Sequence, residues 1–263
     1  MIRAQWKEEW QREERAAMEG WDFSRLAGRW QEGSPPWDYR AKAGEFLRPG
    51  VRLLDLGTGG GELLLSLGHP PELTWATEGW EPNYRLCQRR LIPMGIHVER
   101  YDSEKNPRLP FEDGVFDLVL DRHESYDLPE VYRVLKPGGF FLTQQVGGMN
   151  NRALSRRLTP EFQRGMLDFN LENEAPKFRR AGFQIMWSNQ AYYPSRFLDV
   201  GALCWYAKAC PWEFGGFSVE KCYSRLLELQ AGLEARGFLE SLQHRFIIVA
   251  KKTGKSGGEI SRG

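Results

Sequence analysis

Residues 53–65 read LLDLGTGGGELLL, an apolar run that ends at a carboxylate, passes through a glycine-dense turn and resumes with a helix-like pattern. This order predicts a strand, a tight loop and a helix start, which is where open α/β folds bind nucleotide-like ligands. Glycine permits positive φ and leaves room for a ligand to approach the backbone. The amides that begin the helix would offer donors and a positive dipole end to a carboxylate or phosphate.

The spacing of the glycines narrows the kind of ligand. Gly57, Gly59 and Gly61 fit G-x-G-x-G, whereas the third glycine of a dinucleotide G-x-G-x-x-G pattern would fall on Glu62 or Leu64. No Gly-Lys-Ser/Thr follows, which excludes a P-loop. An ordinary glycine-rich turn between a strand and a helix stays open as an alternative at this point.

Four further segments follow the turn in order. They are TWATE at 74–78, YDS at 101–103, LPFEDGVFDLV at 109–119 and VYRVLKPGG at 131–139. Together with the turn they resemble the class I S-adenosylmethionine (SAM)-dependent methyltransferases over roughly residues 38–148. The resemblance implies a methyltransferase of the EC 2.1.1 type that uses SAM and releases S-adenosylhomocysteine.

The resemblance also implies which residues hold the cofactor. The acid Glu78 at the end of the second strand would accept both ribose hydroxyls, Asp102 would read the adenine amino group, and Asp55 would support the loop or the methionine tail. A turn-initiating role for Asp102 is the alternative. Aromatic faces attract a sulfonium, and Pro35-Pro36 fixes a turn just ahead of Trp37 and Tyr39. The full expected cofactor set is Trp37, Tyr39, Asp55, Gly57, Thr58, Gly59, Gly61, Glu78, Gly79, Asp102, Ser103 and Asp121.

The reactive end is expected at residues 121–126, DRHESY, where ionisable groups follow an apolar strand. His123 is the candidate general base, because its ordinary pKa lies near working pH. Glu124 could orient it or bind a substrate amine, and Tyr126 could line the pocket. A solvated surface loop is the alternative, and methyl transfer to a nucleophilic acceptor proceeds by proximity without a dedicated base.

Length and composition fit one α/β domain with additions. The 263 residues have a net charge of +1, and 41% of them are hydrophobic, so the chain has no global basic field. Its four cysteines show no C-x-x-C and no metal-ligand spacing, so we expect reduced thiols and no metal. A charged N-terminus and the lack of a long apolar run predict a cytoplasmic protein with no membrane partner.

Hydrophobic patterning predicts a Rossmann-like, doubly wound, mostly parallel seven-stranded sheet with N-terminal and C-terminal helical additions. The resemblance implies that the last strand is antiparallel. Predicted strands lie near 51–55, 73–78, 96–101, 115–121, 139–146, 183–193 and 244–251. Predicted helices lie near 4–18, 21–30, 37–47, 61–67, 81–93, 127–135, 172–181, 196–208 and 218–236. The domains would be a helical lid at 1–48, a SAM-binding domain at 49–253 with a helical insertion at about 195–238, and a disordered tail at 254–263.

The sequence leaves three classes of function open, two of which differ in the methyl acceptor. A small molecule fits the neutral charge, whereas the basic stretch 151–180, with seven Lys and Arg residues against four acids, would serve an RNA or protein acceptor. A non-enzymatic SAM-binding regulator is the third class. The Asn-Pro-Pro-Tyr type of fourth motif is absent, which disfavours base and amide nitrogens and leaves O-, S-, C- and amine acceptors open.

Overall fold

The computed structural model describes residues 2–18, 21–103 and 105–254. The expected disordered tail at 254–263 lies outside these residues, apart from Gly254. The helices are α1 (Ile2–Arg15), α2 (Tyr39–Gly44), α3 (Glu62–Ser66), α4 (Glu81–Arg90), α5 (Leu128–Val134), α6 (Arg152–Leu158), α7 (Leu171–Arg180), α8 (Val200–Ala209) and α9 (Val219–Arg236). The strands are β1 (Trp30–Glu32), β2 (Leu53–Leu56), β3 (Thr74–Glu78), β4 (His97–Arg100), β5 (Phe116–Arg122), β6 (Leu135–Val146), β7 (Phe183–Phe197) and β8 (Leu239–Lys252).

The strands form one sheet in the order β1-β7-β8-β6-β5-β2-β3-β4. The strand pairs β2 with β3, β2 with β5, β3 with β4 and β5 with β6 are all parallel. Strand β8 runs antiparallel to β6, because the amide of Gly147 after β6 bonds to His244 near the start of β8, while Lys252 at the end of β8 bonds to Leu135 at the start of β6. The predicted Rossmann-like sheet with an antiparallel last strand is confirmed.

An eighth strand was not predicted, and it replaces the helix expected at 21–30. That segment contains only a 3₁₀ turn at Ser24–Leu26 before Trp30–Glu32 enters the sheet edge. Gly28 has φ +72, which ends the helical conformation. Trp30 then pairs with Phe197 of β7, and the two rings stack with centroids 5.9 Å apart. Pairing with a strand 167 positions away leaves no local sequence signal.

The chain divides into two compact units. The core unit comprises Trp37–Gln145, Leu171–Asn189 and the chain from Phe246 onwards. The appended unit comprises the chain up to Pro36, Val146–Asn170 and Gln190–Arg245. Each has its own apolar centre: Leu53, Ala76, Leu118 and Leu142 in the core unit, and Trp10, Phe197, Trp205 and Phe214 in the appended unit.

The C-terminal helices begin and end where their caps predict. Asp199 accepts a hydrogen bond from the amide of Ala202 at the start of α8, and Ser218 accepts one from Lys221 at the start of α9. Gly237, with φ +81, ends α9 in the left-handed conformation. Helix α6 was not predicted from its polar sequence. Within the described residues, no helix combines the length and the apolar character needed to cross a membrane.

The core unit brings several strand ends to one edge of its sheet. Leu56 pairs with Asp121, and Asp55 pairs with Ala76, in parallel register. Because parallel strands end on the same side, the residues that follow β2, β3 and β5 share this edge. The glycine turn, Glu78 and the 121–126 segment therefore meet there.

Candidate active site

The glycine turn is held against the end of β3. Gly57, Gly59 and Gly61 all have positive φ, between +60° and +79°. Thr77 accepts hydrogen bonds from two amides of the turn: its Oγ1 from Gly57 at 3.2 Å, and its carbonyl from Thr58 at 3.0 Å. Left-handed backbone at alternate positions explains why glycine is needed there.

At two of these glycines, neighbouring side chains also leave no room for a Cβ atom. A methyl group on Gly57 would lie 2.5 Å from the carboxylate of Glu124, and one on Gly61 would lie 2.7 Å from Leu91. Both distances are below any normal carbon contact. Glu124 therefore packs directly over the first glycine of the turn.

Two side chains of helix α4 form hydrogen bonds to the turn, and the sequence analysis did not predict either contact. The thiol of Cys87 donates to the carbonyl of Gly59 at 3.1 Å, and Arg90 donates to the carbonyl of Gly60 at 3.1 Å while also pairing with Glu62. Burial raises the pKa of Cys87 to about 12, so it stays a neutral donor. All four cysteines are free and buried.

The carboxylate of Glu78 is buried and already organises the loop. Its Oε2 accepts from the amide of Gly59 and its Oε1 from the amide of Trp80, both at 2.9 Å. Burial raises its pKa. A carboxylate has about four acceptor positions, so two remain for hydroxyl donors. Its position fits the expected ribose contact.

The loop after β4 comes close to Glu78 because Gly79 has no side chain. A methyl group on Gly79 would lie 2.5 Å from the carbonyl of Tyr101. Asp102 here pairs with Lys105 at 2.5 Å, and its carbonyl accepts from two later amides, as a turn-forming residue does. Ser103 bonds through its hydroxyl to that of Ser125 at 2.8 Å, which joins this loop to the segment after β5.

Two buried aspartates end strands β2 and β5. Burial raises the pKa of Asp55 to about 7. Burial, with Glu124 adding to it, raises the pKa of Asp121 well above its ordinary range. Gln145 donates to Oδ1 of Asp121 at 3.0 Å, whereas Oδ2 is buried with no hydrogen-bond partner in the described parts of the chain. Such a pair is stabilised by a cationic ligand.

Replacing Asp55 with asparagine is expected to stabilise the ligand-free protein at pH 8 but not at pH 4. A carboxyl whose folded pKa is about 7, against an ordinary 3.8, loses folding stability as pH rises from about 4 to 7. The shift corresponds to at most on the order of 4 kcal/mol, which Asp55→Asn would recover. Urea unfolding at both pH values measures it, with exposed Asp113→Asn as the control. An equal effect of Asp55→Asn at the two pH values would contradict the assignment.

The helix after the turn does not provide the anion site that its sequence suggested. Helix α3 has only five residues and carries Glu62 in its first turn. The amides of Gly57, Thr58, Gly59 and Gly61 already bond within the protein. A carboxylate or phosphate therefore gains little here, because the donors are used and an acid stands beside them.

The residues of the 121–126 segment do not all face the glycine turn. Glu124 lies over Gly57, and its Oε1 accepts from the amide and hydroxyl of Ser125 at 3.0 Å. His123 is exposed, with φ +69, and lies at the end of β5. Tyr126 instead packs its ring on Phe141 and Phe178.

The expected catalytic role of Tyr126 is therefore not supported. Its hydroxyl contacts Glu174 at 3.4 Å, and burial raises its pKa, so it stays protonated. The sequence of this segment gave no indication that Tyr126 packs on Phe178 of α7. Tyr126 is a packing residue of the core unit.

Trp37 and Tyr39, the two aromatic residues that precede β2, form hydrogen bonds to residues of β5 and β6 beside the site. Tyr39 is buried, and its hydroxyl donates to the carbonyl of Asp121 at 3.0 Å. It holds the end of β5 rather than offering its face to a ligand. Trp37 is half-buried and donates its indole N–H to Gln144 at 2.7 Å. Gln144 and Gln145 on β6 were not predicted as site residues.

The charges of the site fit SAM. Four carboxylates converge on the turn: Asp55, Glu78, Asp121 and Glu124. SAM carries a sulfonium and an ammonium against one carboxylate, whereas a phosphate ligand would meet like charge from these four side chains. The unpartnered Oδ2 of Asp121 is the feature that such a ligand would use. No group of three or more metal-ligating side chains occurs within residues 2–18, 21–103 and 105–254.

The part of the chain that forms this site is similar in sequence to known proteins. Residues 54–143 match the family model described as "Methyltransferase domain". The chain is 36% identical over 111 residues to a ubiquinone/menaquinone biosynthesis C-methyltransferase of Cupriavidus taiwanensis, covering 38% of this chain and 44% of that protein. It is 30% identical over 143 residues to a fatty-acid O-methyltransferase of Mycolicibacterium smegmatis, covering 51% of this chain and 48% of that protein. The chain thus spans less than half the length of these curated relatives.

A solved structure from Bacillus halodurans, described as a candidate methyltransferase, has the same fold. The TM-score is 0.57 at 16% identity, over 82% of this chain and 99% of that chain. The matched domain at 54–143 contains the glycine turn, Glu78 and the 121–126 segment. The ordered motifs, the sheet and this match agree, and together they support a class I SAM-dependent methyltransferase domain over residues 54–143.

Proposed function

We propose that this protein transfers the methyl group of SAM to a small-molecule acceptor. The observation that carries the proposal is the convergence of four acidic side chains, Asp55, Glu78, Asp121 and Glu124, on the glycine turn. An anionic, partly dehydrated site favours a cation, because the charges attract more strongly away from water. The same site disfavours nucleotide phosphates.

The residues of the core unit have separate roles in this proposal. Glu78 accepts the ribose hydroxyls, and Asp102 with Ser103 binds the adenine edge. Asp55 and Asp121 stabilise the ammonium end, and Gly57, Thr58, Gly59 and Gly61 form the wall along the methionine tail. When bound, SAM supplies an electrophilic methyl on sulfur, which an acceptor lone pair takes while the S–C bond electrons stay on S-adenosylhomocysteine.

The acceptor would be held near the end of β5. Glu124 offers a carboxylate beside Gly57 that could orient an amine or a hydroxyl. In-line placement of a nucleophilic acceptor supplies most of the rate, since proximity and orientation convert a bimolecular reaction into one within the complex. This arrangement needs no proton-accepting side chain in the protein.

A small molecule is favoured over RNA because two basic side chains of the stretch 151–180 are engaged within the fold. Arg164 donates to the carbonyl of Asn150, and Lys177 pairs with the buried Glu174 at 2.5 Å. These side chains therefore serve the fold. Both relatives named above bear the names of enzymes for small molecules.

We also propose that the parts outside the matched domain decide acceptor choice. They include the expected lid at 1–48 and the helical insertion at about 195–238 within the 49–253 domain. Helices α8 and α9 in this insertion bury a dense set of aromatic and aliphatic side chains, among them Trp205, Tyr206 and Leu226. The choice of acceptor would then depend on residues outside the matched domain, while Glu124 orients the acceptor from within it.

Transfer of label from methyl-tritiated SAM tests the acceptor class. We expect label in the small-molecule fraction of a cell extract and not in precipitated RNA or protein. Label in RNA, with salt-dependent binding to bulk tRNA, would favour the basic stretch instead. SAM binding without label transfer to any fraction would favour a regulatory protein.

A further inference from the structure

A chain of three side chains links α2 to the end of β5. The indole Nε1 of Trp37 donates to Oε1 of Gln144 at 2.7 Å. The amide nitrogen of Gln144 lies 3.0 Å from Nε2 of His123. The backbone carbonyl of Gln144 also accepts from the amide of His123 at 2.8 Å. All three residues belong to the core unit.

The indole N–H of Trp37 determines the orientation of the Gln144 amide and, through it, the position of the ring proton of His123. An indole N–H can only donate, so the atom of Gln144 that faces Trp37 must be its oxygen. The NH₂ group of Gln144 then faces His123, and an amide NH₂ can only donate. Nε2 of His123 must therefore accept, which places the ring proton on Nδ1.

The surroundings hold this arrangement in place. Gln144 is 4% exposed, so turning its amide would leave a buried donor facing a donor. Trp37 packs edge-to-face on Trp187, with ring centroids 6.5 Å apart. His123 has φ +69, an uncommon backbone for a residue with a side chain, and one that clusters at functional sites.

We propose that Gln144 is a positioning residue which, aligned by Trp37, holds His123 as the neutral Nδ1–H tautomer with its Nε2 lone pair occupied. A general base must accept the substrate proton on a free lone pair. In neutral imidazole only one nitrogen has such a lone pair, and here it is bonded to Gln144. His123 is thus a hydrogen-bond donor at this strand end and not the base expected from the sequence.

The tautomer follows from the hydrogen bonds alone, whereas its meaning for methyl transfer rests on the proposed function. If His123 does not take a proton, the acceptor must arrive as a nucleophile or lose its proton to water. The proposal therefore favours acceptors that are nucleophilic without help from the protein.

Long-range ¹H–¹⁵N NMR of the full-length, ligand-free protein reads the tautomer directly. The chain has four histidines, and the His123 ring is assigned by its loss in His123→Asn. We expect an Nε2 shift typical of an unprotonated ring nitrogen and an Nδ1 shift typical of a protonated one, with this tautomer favoured roughly tenfold. A protonated Nε2 at neutral pH would overturn the proposal.

Two variants and a control sharpen the test. Gln144→Glu supplies acceptors to both neighbours, so we expect the Nε2 signal to move to the protonated range. Trp37→Phe frees the amide of Gln144, and we expect a mixture of tautomers even if Gln144→Glu does not fold. Trp187→Phe removes a neighbouring indole and should leave the His123 shifts unchanged.

Unchanged His123 shifts in both Gln144→Glu and Trp37→Phe would overturn the proposal. The measurement needs neither SAM nor an acceptor. A failure here would therefore not count against the methyltransferase proposal, and a protein that binds no SAM could still show the predicted tautomer.

Discussion

Glu78→Ala is expected to weaken SAM binding about a hundredfold or more, whereas His123→Ala should change it by less than about tenfold. The carboxylate of Glu78 holds the amides of Gly59 and Trp80 and is placed to accept two ribose hydroxyls. A hydrogen bond to a charged group contributes roughly 1.5–3 kcal/mol, so losing the two ribose bonds alone removes about 3 kcal/mol. Isothermal titration calorimetry with SAM measures both variants.

Glu81→Ala is the matched control for the loss of an acid. Glu81 lies three residues further on in α4, where it pairs with Arg85 and Arg100 at the surface. Its removal should leave SAM affinity nearly unchanged, because exposed ion pairs contribute little. Equal losses in Glu78→Ala and His123→Ala would mean that the division between cofactor and reaction sites is wrong.

Gly57→Ala is expected to abolish measurable SAM binding at micromolar concentration. The added methyl would lie 2.5 Å from the carboxylate of Glu124 and would force φ +60 on a residue with a side chain. The backbone alone costs about 1–2 kcal/mol. The clash adds to this, because either the turn or Glu124 must move from the site.

Gly68→Ala separates these two effects. Gly68 has φ +63 in the same unit, but a methyl group there meets no atom within 4 Å. We expect a stability loss of about 1–2 kcal/mol by urea unfolding and unchanged SAM affinity. Similar affinity losses in both variants would show that backbone strain, and not the space beside Glu124, decides binding.

The sequence predicted the sheet well because buried parallel strands are continuous apolar runs. Strand β2 is buried at all four positions, and β5 is buried at five of seven, so each reads as a strand without its neighbours. Glu78 was identified through the family resemblance, as the acid that ends the segment TWATE at 74–78. Strand β1 was missed, because its three residues are a strand only when paired with β7.

The side-chain contacts within the site were harder to predict than the strands and the turn that frame it. Cys87 and Gln144 bond to the turn and to His123 from a helix and a strand that start elsewhere in the sequence. Side-chain hydrogen bonds of this kind carry no periodic pattern. Tyr126 stands two residues from Glu124, yet its ring packs on Phe141. Sequence spacing alone does not show which neighbours a side chain in such an irregular segment contacts.

Calorimetric titration of the wild-type protein with SAM and with S-adenosylhomocysteine tests the central claim most directly. The claim is that the glycine turn and its four carboxylates form a SAM site. We expect saturable, one-site binding of both compounds at micromolar concentration, with affinity for SAM that rises with pH through about 7 as Asp55 loses its proton. Absence of binding to either compound at high micromolar concentration would contradict the account.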